Sequence, residues 1–161
     1  MIFLILGTQN FQMNRLLLLV DKLISEGKLT IPLSAQIGLS DYQPKNFSFD
    51  RFLDKDEFEK RISNADMIIT HGGVSSIVSA INHKKPVIVI PRLAKYKEHV
   101  DDHQLEIARA FAKMDFVLCY EDGDDLLSLI KMCDNKKFRE YTSQKDKITQ
   151  LISAYLAEYF S

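Results

Sequence analysis

Glycine, hydroxyl and histidine side chains cluster in the stretch THGGVSS, which directly follows the apolar run DMIIT. Gly72 and Gly73 would let a ligand approach the backbone closely. Ser75 and Ser76 fall in the first turn of the next predicted helix, where backbone N–H groups and the helix dipole favour an anion. His71 could donate to a phosphate or a sugar hydroxyl, or instead cap a neighbouring helix. The stretch predicts a site for a phosphorylated ligand.

A second glycine–hydroxyl turn, GTQN, follows the apolar run IFLIL near the start of the chain. The backbone around Gly7 and Gln9, together with the Thr8 hydroxyl, could hold a phosphate at the positive end of the following helix. A tight turn with a helix cap is the alternative. The turn matches neither GxGxxG nor a Walker loop, which disfavours a dinucleotide dehydrogenase or a P-loop ATPase.

The longest polar stretch, PRLAKYKEHVDDHQ, follows the apolar run VIVI. Arg92 is basic, and Glu98, His99, His103 and Gln104 are hydrogen-bonding groups of the kind that bind sugar hydroxyls. A solvated loop that leads into a helix is the alternative. His99 and His103 lie four residues apart without the glutamate of an HExxH zinc motif, so we predict no metal site here.

A weak DxD pattern, Asp122-Gly123-Asp124, resembles the metal-binding motif of some sugar transferases. It precedes a predicted helix, whose N-terminus acidic residues cap and whose dipole they complement. We interpret these aspartates as caps, and we expect no metal or other cofactor.

Strands and helices must alternate along the chain to place these stretches. The pattern predicts an α/β, Rossmann-like fold: an open parallel sheet with helices on both faces. We predict strands at 2–6, 33–38, 46–52, 66–70, 86–91 and 116–120, and helices between them, among them one capped by Asp54 and one over Val74–Asn82. Ligands of such sheets bind at the carboxyl ends of the strands. The chemistry should therefore lie at 7–10, 36–40, 51–53, 70–76 and 91–104.

Composition limits the class of protein. The 161 residues fit a single domain, 1–161, and the 46% hydrophobic and 27% charged residues are typical of a globular chain. A net charge of −1 gives no general attraction to nucleic acid, and we expect no nucleic-acid partner. Two cysteines without metal-ligand spacing favour a reduced compartment. No apolar run is long enough to span a membrane.

The last segment, about 136–161, is predicted to be a long amphipathic helix. Its apolar stripe consists of Tyr141, Ile148, Leu151, Ile152, Tyr155, Leu156 and Tyr159. Such a stripe either packs on the core or serves as a docking element.

Together, THGGVSSIVSAINHKKPVIVIPR and EHVDDHQLEIA resemble the C-terminal, donor-binding half of glycosyltransferase family 28, whose members are inverting GT-B enzymes. GTQNFQMNRLLLLVD and QIGLSDYQP resemble the small single-domain members of bacterial capsule and exopolysaccharide clusters, which are β-1,4-galactosyltransferases. These are similar to the catalytic subunit of the dolichol-linked UDP-GlcNAc transferase. The resemblance covers about Met1 to Glu121.

The resemblance implies a UDP-sugar donor and a role for each stretch. It assigns the phosphate turn to Gly7, Thr8 and Gln9, the diphosphate to Ser75 and Ser76, uracil to Arg51 and Phe52, and the donor sugar to His103 and Gln104. One position departs from the family. Seven residues before Pro86, many members carry an acidic residue that holds the ribose, and this chain has Ser79. A serine can still bond the ribose, but a bidentate carboxylate contact would be lost.

The predicted function is an inverting glycosyltransferase subunit that moves a hexose, most simply galactose, from a UDP-sugar to a lipid-linked saccharide. Glu98 and His99 are the candidates for the general base. A membrane-associated partner would complete the GT-B cleft, which would place the chain in the cytoplasm at the inner face of the membrane. The alternatives are a UDP-GlcNAc-using transferase and a non-catalytic UDP-sugar-binding subunit. A flavodoxin-like or phosphate-binding signalling domain would share the sheet but lack the His-Gly-Gly and His-Gln blocks.

Overall fold

The computed structural model describes residues 1–142, in which strands and helices alternate. The strands are β1 (Ile2–Ile5), β2 (Leu33–Gln36), β3 (Ser48–Asp50), β4 (Met67–Thr70), β5 (Val87–Val89) and β6 (Leu118–Cys119). The helices are α1 (Asn14–Ser25), α2 (Lys55–Asn64), α3 (Val74–Asn82), α4 (His103–Lys113) and α5 (Leu126–Asn135), with a short 3-10 helix at Ala94–Tyr96. No helix in this part of the chain is long and apolar enough to cross a membrane.

All strand pairings of the sheet are parallel, and the strand order is β3-β2-β1-β4-β5-β6. β1 lies in the middle, with Ile5 opposite both Gln36 of β2 and Thr70 of β4. The order reverses on the two sides of β1, so a crevice opens where the loops after β1 and β4 diverge. The predicted open parallel sheet is confirmed.

The sheet is covered on both faces because successive side chains of each strand point to opposite sides. In β1, Ile2 and Leu4 join the apolar core under α1 and α5, whereas Phe3 and Ile5 join the core that includes residues of α2, α3 and α4. All four are at most 1% exposed. This double burial explains why the strand is continuously apolar rather than alternating.

Acidic residues cap two helices: the predicted Asp54 caps α2, and Asp125, the residue after the DxD aspartates, caps α5 in their place. The Asp54 carboxylate accepts from the Glu57 N–H at the start of α2, and Asp125 accepts from the N–H groups of Leu127 and Ser128 at the start of α5. The DxD aspartates lie in the turn before α5. Asp122 bonds the Tyr96 hydroxyl and Lys95, and Asp124 accepts from the Glu121 N–H. The DxD side chains thus make local contacts.

The predicted C-terminal helix does not begin at 136. Residues 136–142 are not helical; Arg139 N–H donates to the Asp115 carbonyl and Tyr141 packs edge-on against Phe116, 5.5 Å between ring centroids. These contacts attach the segment to the residues that directly follow α4. The rest of the predicted helix lies outside the described residues.

Candidate functional site

A cavity of about 570 Å³ opens at the carboxyl ends of β1, β2 and β4. Nine residues of the predicted donor site line it: Gly7, Thr8, Gln9, His71, Gly73, Ser75, Ser76, Ser79 and Gln104. Five further residues that were not predicted as site residues also line it: Gln36, Leu53, Lys55, Phe58 and Glu59. The two predicted glycine–hydroxyl turns therefore meet in one site.

The turn after β1 packs directly on an imidazole. Gly7 has a φ of +73°, and a Cβ atom built there would lie 2.5 Å from Cε1 of His71. A side chain at this position would be strained by its backbone conformation and would also displace the ring. The close contact between Gly7 and His71 fixes the shape of the cavity floor.

His71 is a neutral hydrogen-bonding group in this site. Its Nδ1 lies 3.3 Å from the carbonyl oxygen of Ile5, which can only accept, so Nδ1 carries the proton. Burial lowers the pKa of His71 to about 4, and the nearby Arg92 guanidinium acts in the same direction. Nε2, on the side of Gly7 and Gly73, is then an acceptor. This arrangement suits a ligand hydroxyl better than donation to a phosphate.

The first turn of α3 presents backbone donors to the cavity. Gly73 is the N-cap residue, and no side chain caps the helix. Ser75 is exposed and Ser76 is buried, and both line the cavity. Uncapped N–H groups and the positive end of a helix dipole are features that favour an anion.

Gln104, the first buried residue of α4, ties this helix to two strand ends. Its Oε1 accepts from the N–H of Gly72 at 3.1 Å and from the N–H of Arg92 at 3.2 Å. A Cβ atom on Gly72 would lie 2.5 Å from Cβ of Gln104, so the two backbones approach as closely as glycine permits. Within residues 1–142, no acceptor bonds Nε2 of Gln104, and this amide can donate to a ligand.

Helix α2 forms one wall of the cavity, and the sequence analysis predicted none of the residues on it as site residues. Lys55 and Glu59 lie one turn apart on it and both line the cavity, with Phe58 between them. Gln36 and Leu53 fall in predicted stretches but were not named as site residues. The Gln36 Oε1 accepts from the Leu53 N–H at 3.2 Å, which closes the wall toward β2. A charged pair four residues apart on a polar helix is typical of a solvated surface, which is why α2 was missed.

Several predicted donor-site residues lie outside the cavity lining. The Arg51 guanidinium donates to the carbonyls of Gly38 and Ser40, and the Phe52 side chain is exposed. His103 is exposed, with Nδ1 3.3 Å from a carboxylate oxygen of Glu106. These three residues therefore lie outside the cavity lining, and their roles in binding uracil and the donor sugar stay predictions.

Arg92 is a buried residue that hydrogen-bonds to the loop after β1. It is 1% exposed, and its Nη2 donates to the carbonyl of Leu6 at 2.6 Å and to the carbonyl of Phe11 at 3.2 Å. These carbonyls flank the turn at Gly7, so the two hydrogen bonds from Arg92 stabilise that turn. Burial lowers its pKa, since desolvation disfavours the charge, and Nε and Nη1 have no partner among the described residues.

The two predicted base candidates lie away from the cavity. Glu98 is 4% exposed; its carboxylate pairs with Arg15 at 2.9 and 3.1 Å and accepts from the Leu93 N–H. His99 stacks on Phe11, 4.8 Å between ring centroids, and its Nδ1 lies 2.9 Å from Asp101. Three hydrogen bonds from the protein thus hold the Glu98 carboxylate outside the cavity lining, and the role of general base stays a prediction for both residues.

Comparison with known proteins agrees with this architecture. The chain is 35% identical over 97 residues to the UDP-N-acetylglucosamine transferase subunit ALG13 of Candida albicans, a match that covers 60% of this chain and 30% of that protein. It is 33% identical over 86 residues to the human subunit of the same name, covering 50% of this chain and 7% of that protein. The matches therefore span less than a third of these relatives.

Solved structures show the same fold at low identity. The glycotransferase of kitacinnamycin superposes with a TM-score of 0.58 and 16% identity, over 84% of this chain and 35% of that one. Acinetobacter baumannii MurG superposes with a TM-score of 0.52 and 16% identity, over 95% of this chain and 42% of that one. The sequence model of the glycosyltransferase family 28 C-terminal domain matches residues 1–156. The chain belongs to the glycosyltransferase family 28 C-terminal domain family.

Proposed function

We propose that this chain is the donor-binding subunit of a glycosyltransferase that takes a hexose from a UDP-sugar. One observation carries the proposal: the uncapped N-terminus of α3 and the turn at Gly7 face the same cavity. Two sets of backbone donors in one cavity suit a diphosphate, and the Gln104 amide and neutral His71 suit hydroxyl groups.

The proposed mechanism uses the helix for the leaving group. As the bond between the hexose and the diphosphate breaks, negative charge develops on UDP. The N–H groups and dipole of α3 would stabilise that charge without a metal. Inversion at the sugar further requires a base that deprotonates the acceptor hydroxyl. With Glu98 held by Arg15, we propose that the acceptor-binding half of the enzyme contributes or positions this base.

Two donor sugars are proposed. The relatives named above are subunits of a UDP-N-acetylglucosamine transferase, which makes N-acetylglucosamine the first candidate. The resemblance to capsule and exopolysaccharide enzymes makes galactose the second. A lipid-linked saccharide is the proposed acceptor, and a membrane-associated second chain would present it at the inner face of the membrane.

A UDP-sugar-binding subunit without catalysis is the second candidate function. The position of Glu98, buried in an ion pair rather than facing the cavity, favours it. The two functions share the donor site and differ in turnover.

Calorimetric titration of the full chain tests the donor site. We expect binding of UDP and of one UDP-hexose, among UDP-GlcNAc, UDP-galactose and UDP-glucose, that persists in EDTA. Ser75→Asp should weaken UDP binding at least about tenfold, because a carboxylate would occupy the anion site while still suiting the helix N-terminus. Ser25→Asp, at the far end of α1, is the control. Absence of UDP binding by the unaltered chain would refute the proposal, and binding only with a divalent metal would refute its metal-free form.

A further inference from the structure

A carboxylate lines the cavity that is otherwise built for an anion. Glu59 of α2 has a side chain 39% exposed. One of its oxygens, Oε1, accepts from the Ser79 hydroxyl at 3.1 Å, and the other, Oε2, lies 3.4 Å from Nε2 of His83. His83 is itself fixed, since its Nδ1 lies 2.9 Å from the Ser79 carbonyl. Helix α3 thus orients a carboxylate that belongs to α2.

This carboxylate has unused acceptor positions. An ionised carboxylate offers about four lone-pair sites, and the Ser79 hydroxyl takes one of them, on Oε1. Within residues 1–142, no lysine or arginine forms an ion pair with Glu59. Lys55, one turn earlier, also lines the cavity but does not pair with it. At least two acceptor positions are left for a ligand.

Electrostatics explains why such a group needs a specific partner. A carboxylate repels a diphosphate, so Glu59 weakens anion binding unless the ligand donates hydrogen bonds to it. Hydroxyl groups are the donors that a phosphorylated sugar carries. A ligand hydroxyl bonded to the carboxylate would be held by a charge-assisted hydrogen bond, which is stronger than a neutral one.

The place of Glu59 in the cavity indicates which hydroxyls it meets. Ser79 lies one helical turn beyond Ser75 and Ser76, roughly 5–6 Å from the anion end of α3. Phe58 and Leu53 on the same side give an apolar wall that suits a flat base. The Gln104 amide instead bonds the backbone that follows β4 and β5, at Gly72 and Arg92. A sugar beside Glu59 is therefore the one between base and phosphate, the pentose.

We propose that Glu59, positioned by the Ser79 hydroxyl, binds the ribose hydroxyls of the nucleotide and selects ribonucleotides over deoxyribonucleotides. The proposal rests on the proposed function, since it assumes a nucleoside diphosphate in this cavity. The carboxylate that recognises the ribose would then lie on α2.

The test is titration of the full chain and of Glu59→Gln with UDP and with 2′-deoxy-UDP. Loss of the charged acceptor should weaken UDP binding about tenfold, and 2′-deoxy-UDP binding much less. The preference for UDP should therefore largely disappear. Asp56→Asn is the matched control, because it changes the charge of the same helix by the same amount at an exposed position that does not line the cavity. Thermal unfolding of each variant reports folding.

The direction in which Glu59→Gln changes the affinity for UDP tests the proposal. If Glu59 only repels phosphate, Glu59→Gln will bind UDP as tightly as the unaltered chain or more tightly, which overturns the proposal. A variant that keeps its affinity for UDP but loses affinity for UDP-hexoses would place the carboxylate at the hexose and also overturns it. If the unaltered chain binds no UDP, the proposed function itself fails; if it binds UDP and Glu59→Gln changes nothing, only this inference fails.

Discussion

At the scale of single residues, His71 makes stability depend on pH. Its pKa is about 4 in the folded chain, against 6.5 for an ordinary histidine, because the ring is buried beside Arg92. Between these values the unfolded chain binds the proton and the folded chain does not, so stability falls as pH falls. From pH 7 to pH 5 the loss should be about 2 kcal/mol. Urea unfolding of the chain and of His71→Gln at both pH values measures it.

The variant His71→Gln should lack this part of the pH dependence, while His103→Gln, at an exposed position, should keep it. An equal pH dependence in the unaltered chain and His71→Gln would contradict the assignment of the buried neutral imidazole.

Glu98 should contribute to stability through its ion pair with Arg15. Truncating one member leaves the other charge without its partner, and since Arg15 is partly exposed, Glu98→Ala should cost about 2 kcal/mol. Adding Arg15→Ala should then cost much less than Arg15→Ala alone. A double-mutant cycle by urea unfolding measures this coupling. Strictly additive effects would show that the two side chains act independently.

The sequence predicted those site residues whose signal is local. Glycine and hydroxyl residues directly after an apolar strand mark Gly7, Thr8, Ser75 and Ser76, because a parallel sheet brings its carboxyl ends together. It could not predict that Arg92 and Glu98 are buried. Both residue types are usually exposed, and only the packed structure shows the carbonyls that accept from Arg92 Nη2 and the guanidinium that pairs with Glu98.

At the scale of elements, the stability of α2 should affect ligand binding, because the helix carries cavity residues in its first turns. Asp54 caps the helix, and Lys55 and Glu59 follow within its first turns. Asp54→Ala should cost about 1 kcal/mol in stability and also weaken UDP binding, because fraying of this turn displaces both cavity residues. Thermal unfolding and UDP titration measure the two effects.

Asp125→Ala removes the equivalent cap of α5, which lies under the opposite face of the sheet. It should cost similar stability without a change in UDP affinity. Equal losses of affinity in both variants would show that the effect of Asp54 is general destabilisation. The sequence predicted the Asp54 cap and the helix Val74–Asn82 with its observed bounds, whereas the α5 cap is Asp125 rather than Asp122 or Asp124. It did not predict which face of α2 meets the ligand, since that depends on how the helix crosses the sheet.

At the scale of the whole molecule, donor binding and transfer should separate. The cavity holds the proposed diphosphate site, whereas Glu98 is engaged elsewhere. We expect the purified chain to bind UDP-hexose but to transfer labelled hexose to a lipid-linked saccharide only when membranes that contain a partner chain are added. Membranes alone are the control. Full transfer by the purified chain in detergent solution would contradict the two-chain arrangement.

The central position of β1 also affects how the chain is made. Its partner β4 lies far along the sequence, with Ile5 opposite Thr70 at a separation of 65 residues. At synthesis rates of about 5–20 residues per second, roughly 3–13 s pass between these two residues. During that interval one edge of an apolar strand is unpaired, which is the condition that favours aggregation. We therefore expect that shielding of β1 by a chaperone until β4 emerges raises the yield of folded chain.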